Sequence, residues 1–197
     1  YTTRWSYDDI GRLERVDYPS LPNNPNLGLS VKYEYNPFGY LSKILDANNQ
    51  QQWYWEALAR DRWGLLTEQQ WGNKLLCRRD FDSENARLMS VVTAPVQGGP
   101  SIQDITYEYD DNANMTLRSF NDPIWGYQET FSYDELNRLE GHVLKIKGKP
   151  DTVLGYKYDA IGNIINKPGI VGNMVYGGRA RNAGPHAVNR ANGSLYS

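Results

Sequence analysis

Seven side chains that could act as acids, bases or metal ligands recur along the chain: Asp8, Asn36, Asp61, Asp82, Asp110, Asp134 and Asp159. Carboxylates placed regularly can share protons as acid–base pairs, or gather oxygen ligands around a hard cation. The stretch Asp110-Asp111-Asn112-Ala113-Asn114 even begins like a calcium loop. It fails at the next requirements, because Met115 stands where such a loop needs glycine and Asn121 where it needs glutamate. The two histidines, His142 and His186, accompany no nucleophile motif, and the single cysteine, Cys77, allows no internal disulfide framework. Each of the seven residues has a turn role that needs no chemistry. The sequence therefore reads as non-enzymatic, with no cofactor and no metal.

That turn role follows from what surrounds them. The residues just before the seven are Tyr7, Tyr35, Arg60, Phe81, Tyr109, Tyr133 and Tyr158. The positions 8, 36, 61, 82, 110, 134 and 159 are spaced by 28, 25, 21, 28, 24 and 25, a span that fits one supersecondary unit each time. Aromatics two apart precede most of them: Trp5/Tyr7, Tyr33/Tyr35, Tyr107/Tyr109, Phe131/Tyr133 and Tyr156/Tyr158. Period two places both rings on one face of a strand, and the polar Ser6, Glu34, Glu108, Ser132 and Lys157 fall on the other. Asp or Asn can then accept a bond from the backbone two residues on and start a type I turn. Three residues later come Gly11, Gly39, Gly64 and Gly162, where positive φ is expected, with Asn137 in that place in the sixth copy. In the fourth copy Asn85 or Ala86 must serve; in the fifth Ala113 occupies the site, with Asn112 or Asn114 as alternative left-handed residues. Leu13, Leu41, Leu66, Leu88, Met115, Leu139 and Ile164 follow two positions further on. Alternation after the glycine is broken, since Leu13 and Val16 lie three apart, as do Leu41 and Ile44; a β-bulge would account for it.

Connectors of a second kind link these units. Residues 144–156 (LKIKGKPDTVLGY) read as strand, turn, strand; 118–133 read likewise; and 17–30 form a proline-rich loop. The expected fold is all-β: antiparallel hairpins repeated into a long curved or spiralling sheet. Residues 1–197 form a single array of about seven repeats, and the Gly/Asn-rich 166–197 lead into a further one. Fifteen Tyr and six Trp suit half-buried pleated surfaces. A formal charge of −2 lacks the basic excess of a nucleic-acid binder, and no apolar run is long enough for a membrane helix.

The motif YxYDxxGRL, written WSYDDIGRL at 5–13, YEYNPFGYL at 33–41 and YKYDAIGNI at 156–164, resembles the YD (Rhs) repeat family. Bacterial Rhs proteins, the B and C components of Tc toxin complexes and teneurins belong to it. AGPHAV at 183–188 resembles the lead-in to another repeat in toxin-associated members. The resemblance implies hairpins paired into a hollow shell, a secreted or cell-surface bacterial protein, and an enclosed toxin or effector as partner. It also implies that the chain is a piece of a larger protein, whose open sheet edges invite self-association. A second reading remains open. Trp53, Trp55, Trp63, Trp71 and Trp125 either pack the sheet or offer stacking platforms to glycans, Trp53 and Trp55 foremost, which would make a carbohydrate-binding or adhesion module.

Overall fold

The computed structural model describes residues 2–20, 28–170, 172–178 and 183–195. Residues 21–27 of the proline-rich loop lie outside the described residues. No helix occurs among the described residues, and the all-β expectation holds. The chain forms two compact units, Tyr1–Asp104 and Ile105–Ser197.

The first unit contains β1 (Arg4–Tyr7), β2 (Leu13–Asp17), β3 (Ser30–Tyr35), β4 (Leu41–Asp46), β5 (Trp53–Arg60), β6 (Leu66–Trp71), β7 (Leu75–Phe81) and β8 (Leu88–Pro95). Each is antiparallel to the next, so strand order is chain order. The second unit takes up most of β9 (Gln103–Tyr109), then β10 (Met115–Phe120), β11 (Tyr127–Tyr133), β12 (Leu139–Ile146) and β13 (Thr152–Gly155), again paired in sequence. Its last part holds the pair β14 (Lys157–Tyr158) and β15 (Ile164–Asn166), then β16 (Val175–Gly178), β17 (Ala183–Ala191) and β18 (Ser194–Leu195). In the seventh copy β13 and β14 are separated at Tyr156, whose N–H donates to the Glu140 carbonyl at 2.9 Å; Tyr156 and Tyr158 are half-buried on either side of the exposed Lys157.

The tyrosines set one face of the first unit. Cross-strand pairing puts Trp5, Val16 and Val31 in one row, and Tyr33, Ile44, Trp55 and Trp71 in another on the same side. Burial is sparse: Val16, Val31, Leu45, Cys77, Val91 and Ala191 are the buried apolar residues among those described. Strands bury their sides against chain neighbours, so the ladder and the turns, more than a packed interior, must define the fold.

A bulge sits at the same place in every hairpin. Tyr7 faces Leu13 but Ser6 faces Arg15, leaving Glu14 as the extra residue. Ser42, Thr67, Met89, Thr116, Glu140 and Ile165 are extra in the other six. The three-residue gap between Leu13 and Val16 is this bulge. A further bulge at Tyr54 places Trp55 opposite Ile44 and Trp53 opposite Leu45, neighbours on opposite faces. Simple alternation would have kept Trp53 and Trp55 together; the structure separates them.

The left-handed residue stands where the spacing expects it. Gly11, Gly39, Gly64 and Gly162 have φ of 83, 85, 82 and 92°, and Asn137 has 58°. Ala86 and Ala113 take the position themselves, with φ of 60 and 71°; the neighbouring asparagines do not relieve Ala113. An L-residue pays about 1–2 kcal/mol for this conformation. Ala113→Gly is therefore expected to raise stability by up to about 1 kcal/mol, seen as a higher urea midpoint. Gly64→Ala should cost more than Gly11→Ala, because its Cβ would lie 2.5 Å from Tyr40 Oη while Gly11 has open space.

Candidate functional site

The feature built most consistently into the chain is a turn that grips itself and its successor. In the first copy Asp8 Oδ1 accepts from the N–H groups of Ile10 (3.1 Å) and Arg12 (2.8 Å). The Gly11 N–H donates to the Asp8 carbonyl and the Asp8 N–H to that of Arg12, both at 2.9 Å. Type I turn and left-handed residue thus close a hairpin loop of the common three-residue kind. Asn36, Asp61, Asp134 and Asp159 repeat the same two side-chain bonds. Asp82, in a loop one residue longer, accepts instead from Glu84 and Asn85, and Ala86 N–H reaches its carbonyl. Asp110 Oδ1 accepts from the Asn114 N–H at 2.8 Å and Oδ2 from its amide at 2.9 Å. That carboxylate completes a turn, and no group of His, Cys, Asp and Glu suited to a metal occurs among the described residues.

The residue after the glycine site locks the second carboxylate oxygen. Arg12 Nε donates to Asp8 Oδ2 and Arg138 Nε to Asp134 Oδ2, each at 2.7 Å; Asn163 takes the same role at 2.8 Å with Asp159. The arginines also reach the next copy, since Arg12 lies 4.4 Å from the ring centre of Tyr35 and Arg138 4.5 Å from that of Tyr158. Each of these tyrosines then closes the joint. Tyr35 Oη donates to the Leu13 carbonyl (2.8 Å), Tyr133 Oη to Met115 (2.8 Å) and Tyr158 Oη to Leu139 (2.9 Å). Every accepting carbonyl lies immediately before a bulge. Asp, Gly, Arg, Leu and Tyr are therefore parts of one interlock spanning two consecutive copies.

The third copy keeps the interlock with its partners exchanged. Tyr40 occupies the arginine place of the second copy and Arg60 the tyrosine place of the third, with Arg60 4.7 Å from the Tyr40 ring centre. Arg60 also donates to the carbonyls of Gly64 and Leu41, the latter being the one a tyrosine hydroxyl would have taken. What reads in sequence as the weakest repeat is a reversed pair. Sequence reasoning also missed Tyr176, whose Oη donates to the Ile164 carbonyl at 2.9 Å although glycine, not aspartate, follows it. Its signal is an aromatic at 176 after the last Leu-type position, without the Asp. His186 belongs to the same end: it lies in β17, with Nδ1 2.7 Å from Asn163 Oδ1. Asn163 Nδ2 donates to the Pro185 carbonyl, tying AGPHAV to the seventh turn.

The remaining candidates separate clearly. Tyr33, Tyr35, Tyr107, Tyr109, Phe131, Tyr133 and Tyr158 are half-buried, whereas Tyr7 is 60% exposed. Trp55 donates from Nε1 to Gln69 Oε1 at 3.0 Å and is engaged in packing. Trp53 is half-buried on the opposite face, with Lys43 Nζ 5.8 Å from its ring centre. One ionic cluster was not legible at all. Glu129, 7% exposed, takes Arg118 on Oε2 (2.6 Å to Nε) and His142 Nε2 at 3.1 Å on Oε1, while the His142 ring stacks on Phe131 at 5.0 Å. With both oxygens held, Glu129 acts as a structural acceptor.

Two measurements probe the interlock. Tyr40→Arg and Arg60→Tyr should each destabilise alone, while the double exchange restores the arginine-over-tyrosine contact of the first and sixth copies, without their carboxylate since Asn36 stands in the turn, recovering about 0.5–1 kcal/mol of coupling in a double-mutant cycle. The second is acid titration. Asp82 is held below the ordinary aspartate range chiefly by the Glu84 N–H, and Asp134 chiefly by that of Arg138. For Asp8 and Asp159 desolvation is the largest influence and pushes upward, but the hydrogen bonds together outweigh it. A native value lowered in this way gives stability that is complete above the unfolded aspartate value and lost as pH falls through the native one. Stability should therefore decline only on the acid side of the aspartate range, and Asp134→Asn should flatten that decline in pH-dependent urea unfolding.

No protein-family model matches the chain, and no curated protein matches it significantly. Solved structures do. One, described as the crystal structure of TcdB2-TccC3-Cdc42, superposes with a TM-score of 0.71 at 17% identity over 95% of this chain and 10% of that one. Another, TcdB2-TccC3 without its hypervariable C-terminal region, gives 0.70 at 18% identity over 90% and 10%. The chain thus spans about one tenth of the length of either. At these identities the likeness is one of fold, and this chain folds as a stretch of those proteins does.

Proposed function

We propose that this chain is a non-enzymatic wall segment of a YD-repeat shell, part of a secreted or surface bacterial protein that encloses a toxin or effector domain. The observation that carries this reading is the directional interlock. At Leu13, Leu41, Met115, Leu139 and Ile164 a carbonyl of one copy accepts from a tyrosine, or from Arg60, of the copy that follows, always in the same direction along the chain. The likeness in fold to a stretch of TcdB2-TccC3 is consistent with a segment of a larger repeat wall.

The mechanism is steric. A hydrogen-bonded wall withholds cargo from proteases and from its targets until the wall opens. The Asp and Asn side chains of the seven turns each hold backbone N–H groups, which favours a passive role for them.

Limited proteolysis of the intact parent protein tests this. The region C-terminal to the wall is expected to resist protease at concentrations that digest it when expressed alone, and to become cleavable when Tyr35→Ala and Tyr133→Ala loosen two interlocks. Equal digestion with and without the wall would overturn the proposal.

A further inference from the structure

We propose that a groove around Trp53 is a glycan-binding site. It lies in the first unit, on the margin opposite the Asp–Gly turns, and has a volume of about 450 Å³. Trp53 lines it together with Gln51, Gln52, Gln70, Lys74 and Gln97. The size is within the range of small-molecule sites, though the groove is open.

The local fold explains why the ring is there. The bulge at Tyr54 turns Trp53 to the face opposite the tyrosines, where Gln70 also lies, since Gln70 pairs with Glu56 and Glu56 with Lys43 in one cross-strand row. Gly72 fixes the approach of the neighbouring hairpin: its N–H donates to the Tyr54 carbonyl at 2.9 Å, and a Cβ there would stand 2.4 Å from the Trp53 carbonyl oxygen. A larger residue would push the two walls apart. Val96 N–H donates to the Lys74 carbonyl at 2.9 Å and anchors the segment that presents Gln97.

Chemistry then selects the ligand. The four glutamine side chains here have no hydrogen-bond partner among the described residues. A carboxamide offers both donor and acceptor, which is what a hydroxyl group, itself donor and acceptor, requires. An indole alongside supplies the apolar surface on which the C–H face of a pyranose can rest. No carboxylate lines the groove, and Lys74 is its one charged group, so sugars bearing a carboxylate are favoured over neutral ones. This inference is independent of the shell reading and survives its failure.

The test is titration of the intact chain with methyl glycosides of neutral hexoses, N-acetylhexosamines and uronic acids, followed by tryptophan fluorescence and calorimetry. Binding is expected, tightest for the uronic acid glycosides, and tighter binding of the neutral glycosides would contradict the role given to Lys74. Trp53→Ala should weaken it about tenfold. Gln70→Ala with Gln97→Ala should weaken it severalfold while the unfolding midpoint stays put, which separates loss of the site from loss of the fold. Lys74→Ala should weaken the uronic acid glycoside more than the neutral ones. No binding to any glycoside, affinity unchanged in the glutamine double variant, or preferential binding of a proline-rich peptide or a nucleoside would each overturn the proposal.

Discussion

A sheet that buries few side chains has to be fixed at its margins, and here one oxygen does most of the fixing. It is the main-chain carbonyl of the Leu-type residue just before each bulge. A bulge disturbs the ladder at that point, and a backbone carbonyl left poorly paired is costly. Where the following copy has a tyrosine in contact with that carbonyl it supplies the donor, as Tyr35 does for Leu13 and Tyr158 for Leu139, and Arg60 does so for Leu41. The bulge, often treated as an irregularity, is thus the feature to which the repeat is fitted.

Seen this way, the consensus residues divide the work. Asp fixes the turn's amides, the left-handed residue reverses the chain, arginine ties the carboxylate to the next tyrosine, and that tyrosine returns to the carbonyl. None of these contacts is strong alone. A net hydrogen bond contributes about 0.5–1.5 kcal/mol and an exposed cation–π contact about 0.5–1. Repetition makes them count, and it also explains how a copy tolerates departures. Asn114 and Asn163 replace arginine by donating a side-chain amide to the same carboxylate oxygen.

Much of this was legible in the sequence because the turn is local. Asp8, Gly11 and their counterparts are fixed by residues within four positions, and the broken alternation at Leu13 and Val16 already signalled a bulge. What escaped reading depends on contacts about twenty positions apart. The exchanged pair Tyr40 and Arg60 looks like a defect until the two copies are brought side by side. Tyr176 hides because its aspartate is gone while its hydroxyl contact remains. The cluster of Arg118, Glu129 and His142 spans three strands, and no spacing within one strand announces it. Trp53 and Trp55 stand on opposite faces because a single inserted residue, Tyr54, reverses the side on which a strand's side chains stand, which simple alternation does not announce.

The direction of the tyrosine contact has a kinetic consequence. Each phenol reaches back to a segment made earlier in the chain, never forward to one still to come. During translation a newly emerged hairpin would find its acceptor already formed, so the wall can grow from the ribosome one loop at a time. Ordering of this kind keeps contacts short-range and limits the time that an unpaired strand stands exposed to other nascent chains.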